Sequence, residues 1–113
     1  MPCAVIKKRQ DFLALRGAAR VGSPAFLMAA RPNPAAGEGV RIGLTVTKKI
    51  GGAVARNRIR RRLRAASREI FPQFARPGTD YVLIARKAAY DRNYQLLLDD
   101  MKRALLRLAP DIK

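Results

Sequence analysis

Residues 48–69 constrain the fold more than any other stretch of this chain, because they must form a helix with one apolar and one basic side. A turn at Gly51 and Gly52 precedes the helical part. At 3.6 residues per turn its apolar residues fall on one narrow stripe, formed by Ala55, Ile59, Leu63, Ala66 and Ile70. A row of arginines lies on the other side, formed by Arg56, Arg60, Arg64 and Arg68. We therefore predict a helix that packs through the stripe and keeps its charge at the surface.

The charge of this helix indicates a polyanionic partner. Seven arginines stand against a single acid, Glu69, and like charges at helical spacing repel one another. A basic face is often merely solvated, but a solubilising surface mixes both signs and this one does not. Amides near Gly51 and Gly52 would suit a phosphate at the helix start, although an ordinary glycine turn explains them better. A nucleotide-binding P-loop is excluded, because its Gly-Lys-Ser/Thr ending is absent.

The whole chain of 113 residues carries a net charge of +16 and has the length of one domain. Such an excess favours a nucleic acid or an anionic membrane as partner. No run of about 18 apolar residues exists, and the N-terminus lacks the apolar core of a signal peptide. Cys3 is the only cysteine, so no internal disulfide forms. We predict a cytoplasmic protein that does not enter a membrane.

The composition argues against catalysis by this chain alone. It has no histidine, the commonest general acid or base, and its eight acids are scattered along the sequence. A two-metal nuclease needs several converging carboxylates. Asp99 and Asp100 are adjacent, but on a helix they diverge by about 100°, so we expect both to be solvated. We predict no catalytic residue and no metal or other cofactor held by the protein itself.

Periodicity and turn residues predict the remaining elements. Residues 1–8 read as a flexible basic arm, residues 32–39 as a mobile hairpin loop, and Pro72 as the end of the basic helix. We predict helices over 10–16 and 92–108 and strands over 20–22, 25–31, 40–47 and 81–86. The order αβββαβα corresponds to an α+β fold, a single-domain sandwich with a mixed sheet of about four strands.

A resemblance to a known family enters through the basic stretch. Arg56-Asn57-Arg58-Ile59-Arg60-Arg61 follows Lys48-Lys49-Ile50-Gly51 and Arg41-Ile42-Gly43-Leu44-Thr45-Val46, and this order resembles the signature of the bacterial ribonuclease P protein subunit family. Asp11-Phe12 and the segment 80–87 extend the similarity over most of the chain. A strand–helix–strand unit normally crosses over right-handedly. The resemblance implies that the crossover between strands 40–47 and 81–86 is left-handed.

The resemblance also implies a function. The family assists removal of the 5′ leader of precursor tRNA, with the RNA subunit and its bound magnesium performing the hydrolysis. The implied partners are ribonuclease P RNA and precursor tRNA, with no obligate protein partner evident. The implied RNA-binding residues are Arg56, Asn57, Arg58, Arg60, Arg61, Arg64 and Arg68. Of the other helix arginines, Arg62 is expected to reach solvent from beside the stripe. Arg58 would be structural if it were buried against an acid such as Asp80.

The implied leader-binding residues border a cleft, and they are Phe12, Phe26, Thr45, Thr47, Lys48 and Lys49. On its own, an isolated aromatic such as Phe12 more often belongs to the core. The resemblance instead places Phe12 at the cleft edge, where its ring can stack on a base of single-stranded RNA. Related chains often carry a second aromatic one turn later, where this sequence has Arg16. We therefore expect the leader to be held more by charge than by stacking.

Two other classes of function remain open at this stage. A general or ribosome-associated RNA-binding structural protein explains the charge equally well, but it does not require Phe12 or the spacing of the Lys-Lys and Arg-Asn-Arg motifs. A DNA-binding regulator would place the basic helix in a major groove, but no turn-linked helix precedes it. Stimulation of leader removal distinguishes the first prediction from both alternatives.

Overall fold

The computed structural model describes residues 3–5, 18–34 and 37–111, whose strands form one mixed sheet. The strands are β1 (Cys3–Val5), β2 (Ala19–Gly22), β3 (Phe26–Pro32), β4 (Val40–Thr45) and β5 (Thr79–Ala85). Their order across the sheet is β1-β4-β5-β3-β2. The central strand, β5, pairs in parallel with β4 and antiparallel with β3. β1 extends the β4 edge in parallel, and β2 extends the β3 edge antiparallel.

The described residues form two α-helices beside the sheet, α1 (Ala53–Phe74) and α2 (Tyr94–Leu108). Short 3-10 helices precede each of them, at Lys48–Ile50 and Lys87–Tyr90, and a third follows at Ala109–Asp111. Helix α1 connects the parallel neighbours β4 and β5, so the predicted strand–helix–strand unit is present. The predicted α+β class is confirmed. The handedness of the crossover stays a prediction.

Alternation along the strands places the core on the helical side of the sheet. Alternate residues of β3, β4 and β5 join the apolar stripe of α1 and the buried face of α2 in one cluster. At its centre the rings of Phe71 and Tyr81 meet edge to face, 5.1 Å apart. The predicted stripe is confirmed, since Ile59, Leu63 and Ala66 are completely buried. On the opposite face of the sheet, Val82 is buried in a separate small cluster with Ala18 and Ile84.

Two predictions about the N-terminal part of the chain fare differently. Residues 3–5 form a strand paired with β4, although a flexible arm was predicted there. Three residues are too few to show a periodicity, and the pairing partner lies far away in sequence. The helix predicted over residues 10–16 lies outside the described residues.

The predicted hairpin between β3 and β4 is wrong. These strands are not neighbours, because β5 lies between them. The connection instead crosses the end of β5, where the Asn33 amide donates to the Gly78 carbonyl at 2.7 Å and the Gly78 amide donates to the Gly39 carbonyl at 2.8 Å. Gly78 has a φ of 71°, and an added Cβ would lie 3.4 Å from the Gly37 carbonyl. Glycine fits this crossing because it tolerates both constraints.

Helix α1 continues beyond its predicted end. Pro72 lies inside the helix, which reaches Phe74. A proline removes the hydrogen bond to the carbonyl four residues earlier, here that of Arg68. Both residues are exposed, so water can satisfy this carbonyl. On the other side of the same turn Phe71 is completely buried and Phe74 packs against the core, and this packing offsets the lost bond.

Helix α2 begins at a side-chain cap, since the Asn93 Oδ1 accepts from the Leu96 amide at 3.2 Å. Its predicted stripe packs on the sheet side, with Leu97, Met101 and Leu105 buried. The expectation that Asp99 and Asp100 are both solvated is wrong for Asp100, which is 4% exposed. Asp100 accepts hydrogen bonds from two arginines, at 2.8 and 3.2 Å from Arg92 and 3.3 Å from Arg103.

Candidate nucleic-acid interface

The side of α1 that points away from the core presents a continuous basic surface. Asn57, Arg61, Arg64 and Arg68 are exposed. Among the described residues, none of the seven arginines of this helix forms an ion pair. We call Arg61, Arg64 and Arg68 the outer arginines. Unpaired exposed cations in one row are a surface suited to phosphate groups.

Arg56 and Arg60 lie on the flank of this surface and are partly buried. Arg60 donates to the Oδ1 of Asn57 at 3.2 Å, which orients the amide group on the exposed side. The Nε of Arg56 is buried and has no hydrogen-bond partner in the described part of the chain. Arg56 and Arg60 thus lie beside this row and continue it toward the start of the helix.

The single acid of the helix does not neutralise this surface. Glu69 accepts a hydrogen bond from the Tyr94 hydroxyl at 2.6 Å, so it is directed toward α2. Burial, and then the adjacent Glu69 carboxylate, raise the pKa of Tyr94 to about 12. The neutral phenol therefore remains a donor at any ordinary pH, and Glu69 stays engaged in joining the two helices.

Arg58 and Arg62 lie on the opposite flank and serve the fold. Arg58 donates to the Tyr90 carbonyl at 2.9 Å and stacks over the Tyr90 ring, 4.8 Å from its centroid. Arg62 donates from Nε to the Ala89 carbonyl at 2.9 Å and from its terminal nitrogen to the Arg92 carbonyl. The expected solvent-directed position of Arg62 is wrong, and Arg58 contacts a backbone carbonyl and a ring where an acid was considered. Both side chains hold the turn that connects β5 to α2.

The predicted leader residues at the end of β4 lie next to one another along the chain but point to different sides. Thr45 pairs with Ile84 on the sheet face away from the helices. Val46 is buried, and Thr47, Lys48 and Lys49 are exposed. The strand ends at Thr45, two residues earlier than predicted, and the lysine pair belongs to a 3-10 turn. The turn thereby brings two cations to the edge between the sheet and α1.

The two predicted aromatic leader contacts have different outcomes. Phe12 lies outside the described residues, so its role stays a prediction, as does that of Arg16. Phe26 is wrong as a leader contact, because its ring is completely buried in the core beneath the helices. A ring without exposed surface cannot stack on a base. The alternation of β3 decides this, since Phe26 shares a face with Met28 and Ala30.

Sequence reasoning missed an ion pair on the sheet face that carries Thr45. Arg41 donates to both oxygens of Asp80, at 2.8 and 2.6 Å, and Asn33 donates to the same carboxylate at 3.1 and 3.2 Å. Burial raises the pKa of Asp80, but the hydrogen bonds from Arg41 and Asn33 outweigh it, so the net pKa lies below the usual 3.8. The strand register places Arg31 of β3 and Arg41 of β4 on either side of Asp80 in β5. The sequence alone does not show this register, so it could not reveal the ion pair.

Comparison with known proteins settles the family. A family model described as Ribonuclease P matches residues 1–109. The chain belongs to the ribonuclease P protein family. The ribonuclease P protein component of Ruegeria pomeroyi is 48% identical over 107 residues, covering 93% of this chain and 86% of that protein. The corresponding protein of Caulobacter vibrioides is 47% identical over 107 residues, and the alignment covers 95% of this chain and 72% of that protein.

Solved structures of ribonuclease P proteins have the same fold. The RNase P protein of Staphylococcus aureus superposes with a TM-score of 0.76 at 26% identity, covering 96% of this chain and 97% of that one. The RNase P protein of Thermotoga maritima superposes with a TM-score of 0.77 at 24% identity, covering 90% of this chain and 94% of that one. At this identity the similarity supports the fold alone. Chains of the ribonuclease P protein family are components of a ribonuclease and partners of its RNA.

The described residues show neither a metal site nor a membrane-spanning helix. No three histidine, cysteine or acidic side chains there come close enough together to hold a metal ion. No helix within those residues combines the length and the apolar character needed to cross a membrane. That magnesium acts with the RNA subunit stays a prediction.

Proposed function

We propose that this ribonuclease P protein docks on the RNA subunit through the outer arginines and holds the 5′ leader of precursor tRNA, while the RNA and its magnesium hydrolyse the phosphodiester. The observation that carries the proposal is the row of exposed guanidinium groups on α1 without an ion-pair partner among the described residues. From Arg61 to Arg68 the row extends about 10 Å along the helix axis. Such a row screens RNA phosphates that would otherwise repel the substrate.

The proposed division of labour follows from the chemistry of the side chains. The chain has no histidine, and its cations are arginines and lysines, which neutralise phosphates but do not transfer protons at neutral pH. The protein would therefore lower the magnesium concentration that the RNA needs, because its cations replace part of the metal-ion atmosphere.

For the leader, we propose that Thr47, Lys48 and Lys49 border its path and that Thr45 contacts it from the outer sheet face. The lysines neutralise phosphates, and the hydroxyl groups bond to phosphate or sugar oxygens without reading the sequence. Phe12 remains the proposed stacking residue. Phe26 has no place in this proposal.

Reconstitution tests the docking surface. The purified chain is mixed with a bacterial ribonuclease P RNA, and precursor tRNA cleavage is followed at low magnesium, with protein alone and RNA alone as controls. We expect cleavage by the mixture, little by the RNA alone and none by the protein alone. The double variant Arg61→Gln/Arg64→Gln should lose most of the stimulation. The variant Arg107→Gln, which removes an exposed charge on α2, should keep it.

A substrate comparison tests the leader contacts separately. The affinity of the reconstituted enzyme is measured for a precursor tRNA and for the mature tRNA, which has no leader. We expect Lys48→Gln/Lys49→Gln to weaken precursor binding and to leave mature tRNA binding unchanged. Equal losses for both RNAs would contradict the leader assignment, and cleavage by the protein alone would contradict the proposed division of labour.

A further inference from the structure

A hollow of about 460 Å³ opens beside the start of α1 and has no role in the docking surface described above. Its inner wall is apolar and consists of Ile50, Ala55 and Ile59, of which Ile59 is completely buried. The turn between β5 and α2 forms the opposite wall with Ala88 and Tyr90. The hollow is thus a gap between two turns, of a size that suits a small planar ligand.

The turn that forms the outer wall is held in place by the helix. Arg58 and Arg62 together donate to the carbonyls of Ala89, Tyr90 and Arg92. Ala89 is completely buried and anchors the middle of the turn in the core. Tyr90 is nevertheless 43% exposed, although Arg58 stacks over its ring. A braced aromatic ring at the mouth of a preformed hollow loses little entropy when a ligand binds.

The charged groups around the hollow suit a nucleotide. Lys87 lines it, is exposed, and forms no ion pair within the described residues. Lys48 and Lys49 are exposed and belong to the same 3-10 turn as Ile50, which lines the hollow. Asp91 adds one carboxylate, which can accept from the amino group of a base.

We propose that this hollow receives one unstacked nucleotide of the ribonuclease P RNA, with the base against Tyr90 and the apolar wall and its phosphate near Lys87. The proposal rests on the proposed function, since it assigns a further contact to the same RNA. The hollow lies on the helical side of the sheet, because Ile59 and Ala89 belong to the main core. Thr45 lies on the opposite face, so the geometry favours the RNA bound by α1 over the leader.

The test measures the affinity of the full chain for ribonuclease P RNA at several salt concentrations. We expect Tyr90→Ala to weaken binding by about 5- to 150-fold, the range for loss of one stacked base, with an unchanged salt dependence. Tyr90→Phe should bind like the wild type. Ala88→Leu, which fills the hollow from an exposed position, should weaken binding similarly, whereas Gln95→Leu, an exposed position on α2, should not.

Two further measurements make the outcome specific. Chemical probing of unpaired bases should show one or two nucleotides protected by the wild-type chain and reactive with Ala88→Leu. Lys87→Met should reduce the salt dependence by about one phosphate contact, and Arg107→Met should not. Wild-type affinity and an unchanged protection pattern with both Tyr90→Ala and Ala88→Leu would overturn the proposal. A loss that appears only with leader-bearing substrate would also overturn it. A wild-type chain that fails to bind the RNA would refute the proposed function first.

Discussion

At the scale of single residues, the buried carboxylates of Asp80 and Asp100 accept hydrogen bonds from specific partners. Asp80 has no exposed surface, yet it accepts hydrogen bonds from Arg41 and Asn33. Asp100 is similarly enclosed by Arg92 and Arg103. A buried carboxylate without such donors would be strongly destabilising. These two acids therefore stabilise the fold and take no part in neutralising the basic surface.

The variant Asp80→Asn should lower the free energy of unfolding by about 3 kcal/mol at pH 7, because Arg41 then loses its buried counter-charge. The pKa of Asp80 is lowered, so its contribution is present above the ordinary value of 3.8 and disappears as the pH falls through the lower value of the folded state. Urea denaturation at several pH values measures this. The gap between variant and wild type should shrink below pH 3.8, and a constant gap would contradict the assignment. Glu38→Gln, at an exposed acid, is the control.

The variant Leu63→Ala should cost roughly 2 to 5 kcal/mol of stability, because Leu63 is completely buried between α1 and the sheet. Its neighbour Arg64 is exposed, so Arg64→Ala should change stability by less than about 0.5 kcal/mol. Thermal or urea unfolding of the three proteins measures both values. Similar losses for the two variants would mean that the two faces of α1 are not distinguished as the structure places them.

At the scale of elements, helix α1 has three functions on three sides. Its stripe packs on the sheet, its outer arginines form the proposed docking surface, and the flank with Arg58 and Arg62 carries the turn before α2. Arg58 and Arg62 therefore bind carbonyl groups of the turn and do not act as surface charges alone. This difference between chemically identical side chains arises because one flank of α1 faces the turn and the other faces solvent.

Arg62→Met and Arg61→Met should therefore have opposite consequences. Arg62→Met leaves two carbonyl groups without their donor and should destabilise the protein by about 2 to 3 kcal/mol. Arg61→Met should leave stability nearly unchanged and weaken RNA binding. Unfolding and RNA titrations on the same samples provide both readings. If Arg61→Met proves the more destabilising of the two, the assigned contacts are incorrect.

At the scale of the whole molecule, the excess of positive charge is carried by a two-layer fold that separates its surfaces. The outer arginines lie on the helical layer, and Thr45 lies on the opposite face of the sheet. The lysine pair lies in the turn that joins the two layers. With this arrangement the protein can contact one RNA through the helical layer while a second RNA strand lies along the opposite face of the sheet.

The affinity for ribonuclease P RNA should consequently fall steeply with salt. Each phosphate contact contributes about 0.7 to 0.9 to the slope of the logarithm of the affinity against the logarithm of the salt concentration. Replacing all three outer arginines by glutamine should reduce the slope by about 2 to 3, if each contacts one phosphate. Titrations between 50 and 200 mM salt, typical conditions for such measurements, test this. A slope unaffected by the triple substitution would exclude these side chains from the interface.

Particular residues show how far sequence reasoning reached. The alternation of β4 and the stripe of α1 were predictable, because each pattern is local and repeats over several residues. β1 was not predictable, since three residues carry no period. The prediction at Pro72 was wrong because the rule for proline considers the backbone alone, whereas Phe71 and Phe74 pack into the core on either side of Pro72. Phe26 was predicted to lie at the surface, although the alternation of its own strand places it in the core.

The sequence by itself determined the class of fold, the family and the existence of an arginine-rich helix, because these follow from local periodicity, composition and motif spacing. Only the tertiary structure decided which arginines remain available, since that depends on which flank of α1 meets the turn of residues 87–90. It also decided that β5 separates β3 from β4 and that Arg41 and Asn33 both donate to Asp80. Such pairings join residues 39 or 47 positions apart, and no local pattern specifies them.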